Sequence, residues 1–282
     1  MKTPASFSHI IEKGIAIFTI STIRYIVFAG LAYLLFYVVF KNKWLHKRIQ
    51  QKFPGKENIF YEIKYSMLNM VIFGINGMFV VWASRHGWTH LYTKIADYGT
   101  AYFIFSIVAM IFLHDTYFYW THRFMHMKKV FPLVHKVHHH SLNPTPWAAF
   151  SFHPIEGFIE AAILPLIVFL FPVHPFAILS FLLFMTALNV MGHLGFEMYP
   201  KGFTIHAVLG INNTSTHHNM HHSLTNCNYG LYFNFWDKWM GTNHKKYHET
   251  FEKLARTENP AISKEAQSTV ETPETAFAEK AY

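Results

Sequence analysis

The sequence predicts an all-α protein: a polytopic membrane helical domain with a cytosolic, histidine-rich helical cap holding a bimetal site. Three observations lead there. The 282 residues are 51% apolar and 18% aromatic but only 14% charged, against roughly 25% charged in a typical soluble domain. Apolar runs of membrane-spanning or near-spanning length recur before residue 195. Finally, 11 of the 21 histidines fall within 114–140 and 217–222, a clustering that no core-packing rule requires.

The first span, about 15–40, is longer than a signal-peptide core and no small-residue cleavage site follows it, so it reads as a retained membrane helix. Arg24 interrupts it and is expected to snorkel from near one end. The second span, about 66–83, carries Gly74 and Gly77, suited to close helix packing. The third, about 98–120, runs directly into the first histidine cluster. A fourth and fifth, about 157–171 and 176–194, form a pair split by the turn residues Pro172 and Pro175, and are short enough to dip into the bilayer only. Residues 1–97 thus form an N-terminal membrane region, 98–254 a catalytic domain, and 255–282 a polar tail without apolar periodicity, expected to be disordered.

Lys41, Lys43, Lys47, Arg48, Lys52, Lys56 and Lys64 crowd the loop 41–64, whereas 84–97 holds only Arg85 and Lys94. The basic loop is therefore placed in the cytoplasm, and counting spans puts every histidine cluster on that same side. The net charge of +8 sits beside apolar spans, which favours an anionic lipid surface and not nucleic acid as partner. A single cysteine, Cys227, excludes an internal disulfide, a Cys-type zinc finger and a Cys-ligated iron–sulfur cluster. No dilysine or KDEL-type signal ends the sequence, leaving a bacterial inner membrane and the endoplasmic reticulum both open.

The clusters are His122 and His126 in an H-x-x-x-H pattern, then His135, His138, His139 and His218, His221, His222, each H-x-x-H-H. On a helix such spacing aims the rings of one cluster at one spot. Three clusters supply too many imidazoles for one tetrahedral zinc, which takes four ligands, but suit two metals side by side. Imidazole alone does not select among zinc, copper, iron and nickel. A large ligand set beside apolar spans favours iron and the oxidation of a lipid C–H bond. The competing reading is a metal-binding membrane transporter or sensor without redox chemistry. His140 and His217 are expected off the ligand set, and His9, His46, His86, His90, His174, His244 and His248 at surfaces or interfaces. Asp115, Glu156, Glu197 and Asp237 are candidates to orient the ligands. Phe118, Trp120, Trp147 and Trp236 are candidates to line a substrate pocket.

The blocks HDTYFYWTHRFMH (114–126), HKVHHHSLNPTPWAAFSFHPIEGF (135–158), NVMGHLGFE (189–197) and THHNMHHSLTNCNYGLYFNFWDKWMGT (216–242) resemble the fatty acid hydroxylase/sterol desaturase superfamily of integral-membrane di-iron enzymes. PTPWAAFSFHPIEGF most resembles the sterol C-5 desaturase branch. The resemblance implies two iron ions (Fe2+/Fe3+), O2 as oxidant, and an external electron donor such as cytochrome b5 or a ferredoxin-type protein. It implies a reaction that removes hydrogen from an unactivated C–H bond of a membrane lipid, sterol-like or fatty acyl, to leave an alcohol or an alkene. It assigns His122, His126, His135, His138, His139, His218, His221 and His222 as ligands and adds His193. Asn189, His114 or a water then completes the sphere, and His153 takes a supporting role. No haem, flavin or iron–sulfur motif is evident, so the donor must dock on the cytoplasmic face, where Lys128, Lys129, Lys136, Lys245 and Lys246 are placed.

Overall fold

The computed structural model describes residues 7–255; apart from Ala255, the expected polar tail lies outside them. Among the described residues there is no β-strand, only three isolated bridge pairs. Four helices are long and apolar enough to cross a membrane. Helix α1 (Phe7–Tyr33) continues through a π-helical turn to Val39. Helices α2 (Lys56–Arg85) and α3 (Gly99–Met125) follow. After α4 (Pro154–Ala161) and α5 (Ile163–Leu170) comes α6 (Pro175–Gly192), the fourth long helix. The cap is completed by α7 (Ser215–Leu224), α8 (Phe235–Trp239) and α9 (Tyr247–Ala255).

The α1–α2 pair packs through small residues. A Cβ at Gly74 would lie 3.1 Å from Phe18 Cβ, and one at Gly77 would lie 2.6 Å from Ile17 Cδ1. Without a hydrophobic driving force in lipid, such close approach is what holds helices together.

The predicted fourth span is two short helices, and the break has a definite cause. Pro165 has no N–H to offer the carbonyl of Ala161, one turn earlier. Asn76 Nδ2 of α2 donates to that oxygen instead, at 3.0 Å. The broken segment still runs from the histidine cap to the far loop, where Val168 O accepts from His90 N at 2.8 Å. His174, expected at an interface, is buried: its Nδ1 caps α6 by accepting from Phe176 N, and its Nε2 lies 3.1 Å from Thr93 O.

Helix α2 begins ten residues before its predicted apolar window because its first half carries buried polar side chains. Glu62 accepts from the backbone and hydroxyl of Thr145. Ser66 donates to Trp147 O, and Asn69 to Phe150 O and Phe152 O. These bonds satisfy an irregular buried stretch, 145–152, whose backbone could not otherwise be taken out of water. That stretch leads into α4.

The basic loop after α1 packs on the cap: Lys47 O accepts from Glu197 N at 2.8 Å, and Gln50 Nε2 donates to Asn219 Oδ1. The basic loop and the histidines therefore share one end of the helical domain. Arg48, counted above among loop cations, is instead fully buried, its guanidinium 3.7 Å from the Phe53 ring centroid and its Nη2 donating to Lys52 O.

Gly157 sits where Asn69 must reach the loop; an added Cβ would fall 1.8 Å from Asn69 Oδ1. Gly157→Ala is therefore expected to cost about 1–3 kcal/mol through overpacking, read as a lower unfolding midpoint in detergent. An unchanged midpoint would mean that Asn69 can move without releasing the 145–152 stretch.

Candidate metal centre

All nine predicted ring ligands converge, in two groups. His122, His126, His135, His139 and His221 form one; His138, His193, His218 and His222 form the other. Within each, the nitrogens lie within 4.8 Å of one another. The elements deliver them differently. Helix α3 brings His122 and ends at His126, while His193 caps the end of α6. Helix α7 carries His218, His221 and His222. The second cluster does not sit on an α-helix: it follows a helical turn at Phe131–Val134 and ends in a 3-10 turn, His138–His140. Its spacing therefore does not aim three rings at one spot. His135 and His139 enter the five-membered group and His138 the four-membered one. The third cluster divides likewise, His221 to the first group and His218 and His222 to the second.

The hydrogen bonds prepare these rings as ligands. His122 Nδ1 donates to Tyr229 O at 2.8 Å, His193 Nδ1 to Asn189 O at 2.8 Å, His221 Nδ1 to Cys227 O at 2.7 Å and His222 Nδ1 to Ser141 O at 2.9 Å. His138 Nδ1 donates to Ser151 O at 3.3 Å. His135 Nδ1 donates to Glu156 Oε1 at 2.7 Å. An Nδ1–H committed to a carbonyl or carboxylate leaves Nε2 as a bare lone pair.

Those lone pairs face one another. Nε2 atoms of His122 and His135, of His139 and His221, and of His218 and His193 are each 3.0 Å apart. His222 Nε2 lies 3.2 Å from that of His218 and 3.3 Å from that of His193. Two imidazoles bound at about 2.1 Å to a common metal have nitrogens roughly 3.0–3.4 Å apart. The donor set thus fits cations, and lone pairs so placed repel without one. Burial and neighbouring rings hold His135, His138, His139, His218, His221 and His222 well below the usual imidazole range, and burial takes His193 to about 4. The rings are neutral at physiological pH, as ligands must be.

The four candidate orienting carboxylates do different work. Only Glu156 touches a ligand ring. Asp115 accepts from Tyr232 N and Phe233 N, and Asp237 from Tyr229 N and Gly230 N. Glu197 accepts from Thr216 N and Oγ1 at the start of α7. Three of the four therefore hold backbone that in turn holds histidines. His153 caps α4 by accepting from Ile155 N, which sets the helix carrying Glu156. His114 is in neither group: its Nδ1 lies 2.8 Å from Tyr232 Oη. Asn189 donates its Nδ2 to Ala149 O. His140 stacks on Tyr61, and His217 is fully buried, 3.6 Å from Asp237. The carbonyl partners at Ser141, Ser151, Cys227 and Tyr229 had no sequence signal, because any residue supplies a carbonyl.

An apolar cavity of about 90 Å³ lies against this centre. Phe118 and Phe152 form part of its wall. The ring of Phe118 is 4.8 Å from that of His122, and the ring of Phe152 is 5.1 Å from that of His138. One wall thus touches both histidine groups. Of the aromatics proposed as pocket lining, only Phe118 lines it. Trp147 packs on Tyr25, and Trp120 and Trp236 pack on each other and on Tyr119.

Long membrane helices ending in two buried polyhistidine groups define a membrane protein built to seat metal beside an apolar cavity. Residues 107–242 match the model of the fatty acid hydroxylase family, and the chain is similar to sterol desaturases over most of its length. It is 29% identical over 241 residues to the Delta(7)-sterol 5(6)-desaturase erg31 of Schizosaccharomyces pombe, covering 83% of this chain and 75% of that protein. It is 28% identical over 235 residues to lathosterol oxidase of Rattus norvegicus, covering 82% and 75%. It is 31% identical over 245 residues to the Delta(7)-sterol 5(6)-desaturase of Leptosphaeria maculans, covering 86% and 65%. No solved structure matches the chain.

Because Glu156 fixes the tautomer of His135, Glu156→Ala is expected to lower metal retention by roughly 10–100-fold. The measurement is metal left per chain after titration with a chelator, by mass spectrometry. Retention equal to the wild type would show that the carboxylate does not support the ligand.

Proposed function

We propose that this protein is an O2-dependent di-iron oxidoreductase that hydroxylates or desaturates an unactivated C–H bond of a membrane lipid. The observation that carries this is the shared wall: Phe118 and Phe152 line the apolar cavity and pack on His122 and His138, one ring from each group. A lipid in that cavity would lie one aromatic ring away from each group. The sterol desaturase and lathosterol oxidase relatives support a sterol-like substrate over a fatty acyl one.

In this reading the nine histidines each give one nitrogen, and bound iron supplies the activation of O2. The chain's residues do the rest. Backbone carbonyls and Glu156 fix the tautomers of six of the rings, so their lone pairs need no reorganisation when metal binds. Apolar walls exclude water from the reacting carbon. Placement of that carbon against the rings decides whether hydroxylation or loss of a second hydrogen follows. The gathering of all nine rings at one end of the helical domain supports a resident centre over a path for metal transport.

Electrons come from a separate carrier docking on the exposed Lys128, Lys129, Lys136, Lys245 and Lys246, a basic rim complementary to an acidic partner. The assigned orientation puts this rim in the cytoplasm.

Two measurements test the function. Purified protein is expected to hold about two irons per chain, from the ligand count, and stoichiometric zinc after iron-replete anaerobic purification would count against it. In lipid extracts of a knockout and a complemented strain, the product should be heavier than its precursor by one oxygen atom or lighter by two hydrogens. His138→Ala or His221→Ala should abolish that product with the protein still expressed. An unchanged lipidome with iron-loaded protein and good aeration would sink the assignment. For the donor, charge reversal at Lys128 and Lys129 should slow turnover mainly at low ionic strength; a rate indifferent to both charge and salt would remove the docking site.

A further inference from the structure

Arg24 is a buried cation of the membrane domain that nothing above uses. It lies within the 33-residue helical stretch Phe7–Val39, 11 residues after Lys13 and 17 before Lys41. Its side chain is packed inside the helical domain and is 8% exposed. Its Nε is buried without a hydrogen-bond partner, and it joins none of the ion pairs among the described residues. A cation buried among membrane helices is costly and in known membrane proteins faces a cavity or a partner. Arg24 faces the cavity: with Ser21, one turn earlier on α1, it lines the same space as Phe118 and Phe152. The remaining walls are dominated by Phe, Ile and Leu; of the polar lining residues, the Nδ2 of Asn76 is committed to Ala161 O, while Glu160 Oε1, like Arg24 Nε, is buried without a hydrogen-bond partner.

We propose that Arg24 binds an acceptor oxygen at the polar end of the lipid substrate. The substrate class is thereby narrowed to elongated apolar molecules with one oxygen-bearing terminus, held so that a carbon further along the skeleton meets the histidine centre. The inference rests on the lipid-oxidase reading for the identity of the cavity. The acceptor is a hydroxyl or a carboxylate, both of which a guanidinium satisfies.

The test is direct binding to purified full-length protein, read by energy transfer from tryptophan to two fluorescent probes: dehydroergosterol, which ends in a hydroxyl, and cis-parinaric acid, which ends in a carboxylate. Wild type is expected to bind one of them. Arg24→Met should weaken that binding by roughly tenfold to a hundredfold. If the bound end is a hydroxyl, Arg24→Gln should recover part of the affinity; if a carboxylate, Arg24→Lys should, and Arg24→Gln should not. Arg24→Met should also unfold at the same or a higher temperature, because an unpaired buried charge is removed. That readout separates a ligand anchor from a structural residue, since loss of binding together with a lower unfolding temperature overturns the proposal. Binding of the probe by Arg24→Met as tightly as by wild type overturns it too, as does wild-type protein that binds neither probe. Product formation in the lipid extracts is scored separately. Continued oxidation with Arg24-independent binding sinks only the anchor. Arg24-dependent binding without any oxidation sinks only the enzymatic reading.

Discussion

Nine neutral imidazoles pressed together with their lone pairs inward are the constraint around which this molecule is built. With both Nδ1–H groups committed elsewhere, the Nε2 lone pairs of His122 and His135, 3.0 Å apart, gain nothing from each other, so the fold must hold them there by other means. It does so from behind, through the Nδ1–H groups of six rings, each tied to a carbonyl or to Glu156. Apart from Asn189 O in α6, the carbonyls belong to loops, and loops do not hold themselves in place. Hence a further layer: Asp237 grips the amides of Tyr229 and Gly230, and Asp115 those of Tyr232 and Phe233. Helix α7, buried along Ser215–His222 in spite of its polarity, is fixed at its start by Glu197 and Thr214.

The membrane helices serve the same end. Helix α2 gives its first turns to Glu62, Ser66 and Asn69, which hold the 145–152 stretch that carries Ser151 O to His138 and leads to Glu156. Gly195 shows how tight the joint is. Its φ of +74° is open to glycine, and a Cβ there would lie 2.6 Å from Tyr37 Oη, the group that donates to Leu194 O beside His193. The end of α1 is thus fastened to the cap within two residues of a ring in the four-membered group.

Much of this was legible in the chain itself. Long apolar runs and clustered histidines need no tertiary knowledge to be seen, and the ring residues found together are those the spacing and the resemblance singled out. What was not legible has physical reasons. The second cluster has helical spacing without being an α-helix, and the third divides its rings although it is one, because each group draws rings from several segments and spacing within one segment does not show the partition. The start of α2 was lost because Glu62, Ser66 and Asn69 lower its apolarity, and their burial depends on a loop 80 residues away. Pro165 was visible, but its partner Asn76 was not. That Arg24 lines a cavity was not visible either, because an apolar run does not show which face of a helix meets a hollow.

The division of the second and third clusters between the two groups has a thermodynamic meaning. His138 and His139 are consecutive, as are His221 and His222, yet each pair supplies one ring to either side. Consecutive residues share a peptide plane and cannot order independently. A cation held by His139 and His221 therefore also steadies the peptide units that carry His138 and His222, so that the two groups are mechanically linked. Such linkage is reciprocal. Occupancy would then rise in pairs, with half-filled molecules scarce, and a chain that loses one ion would be primed to lose the other.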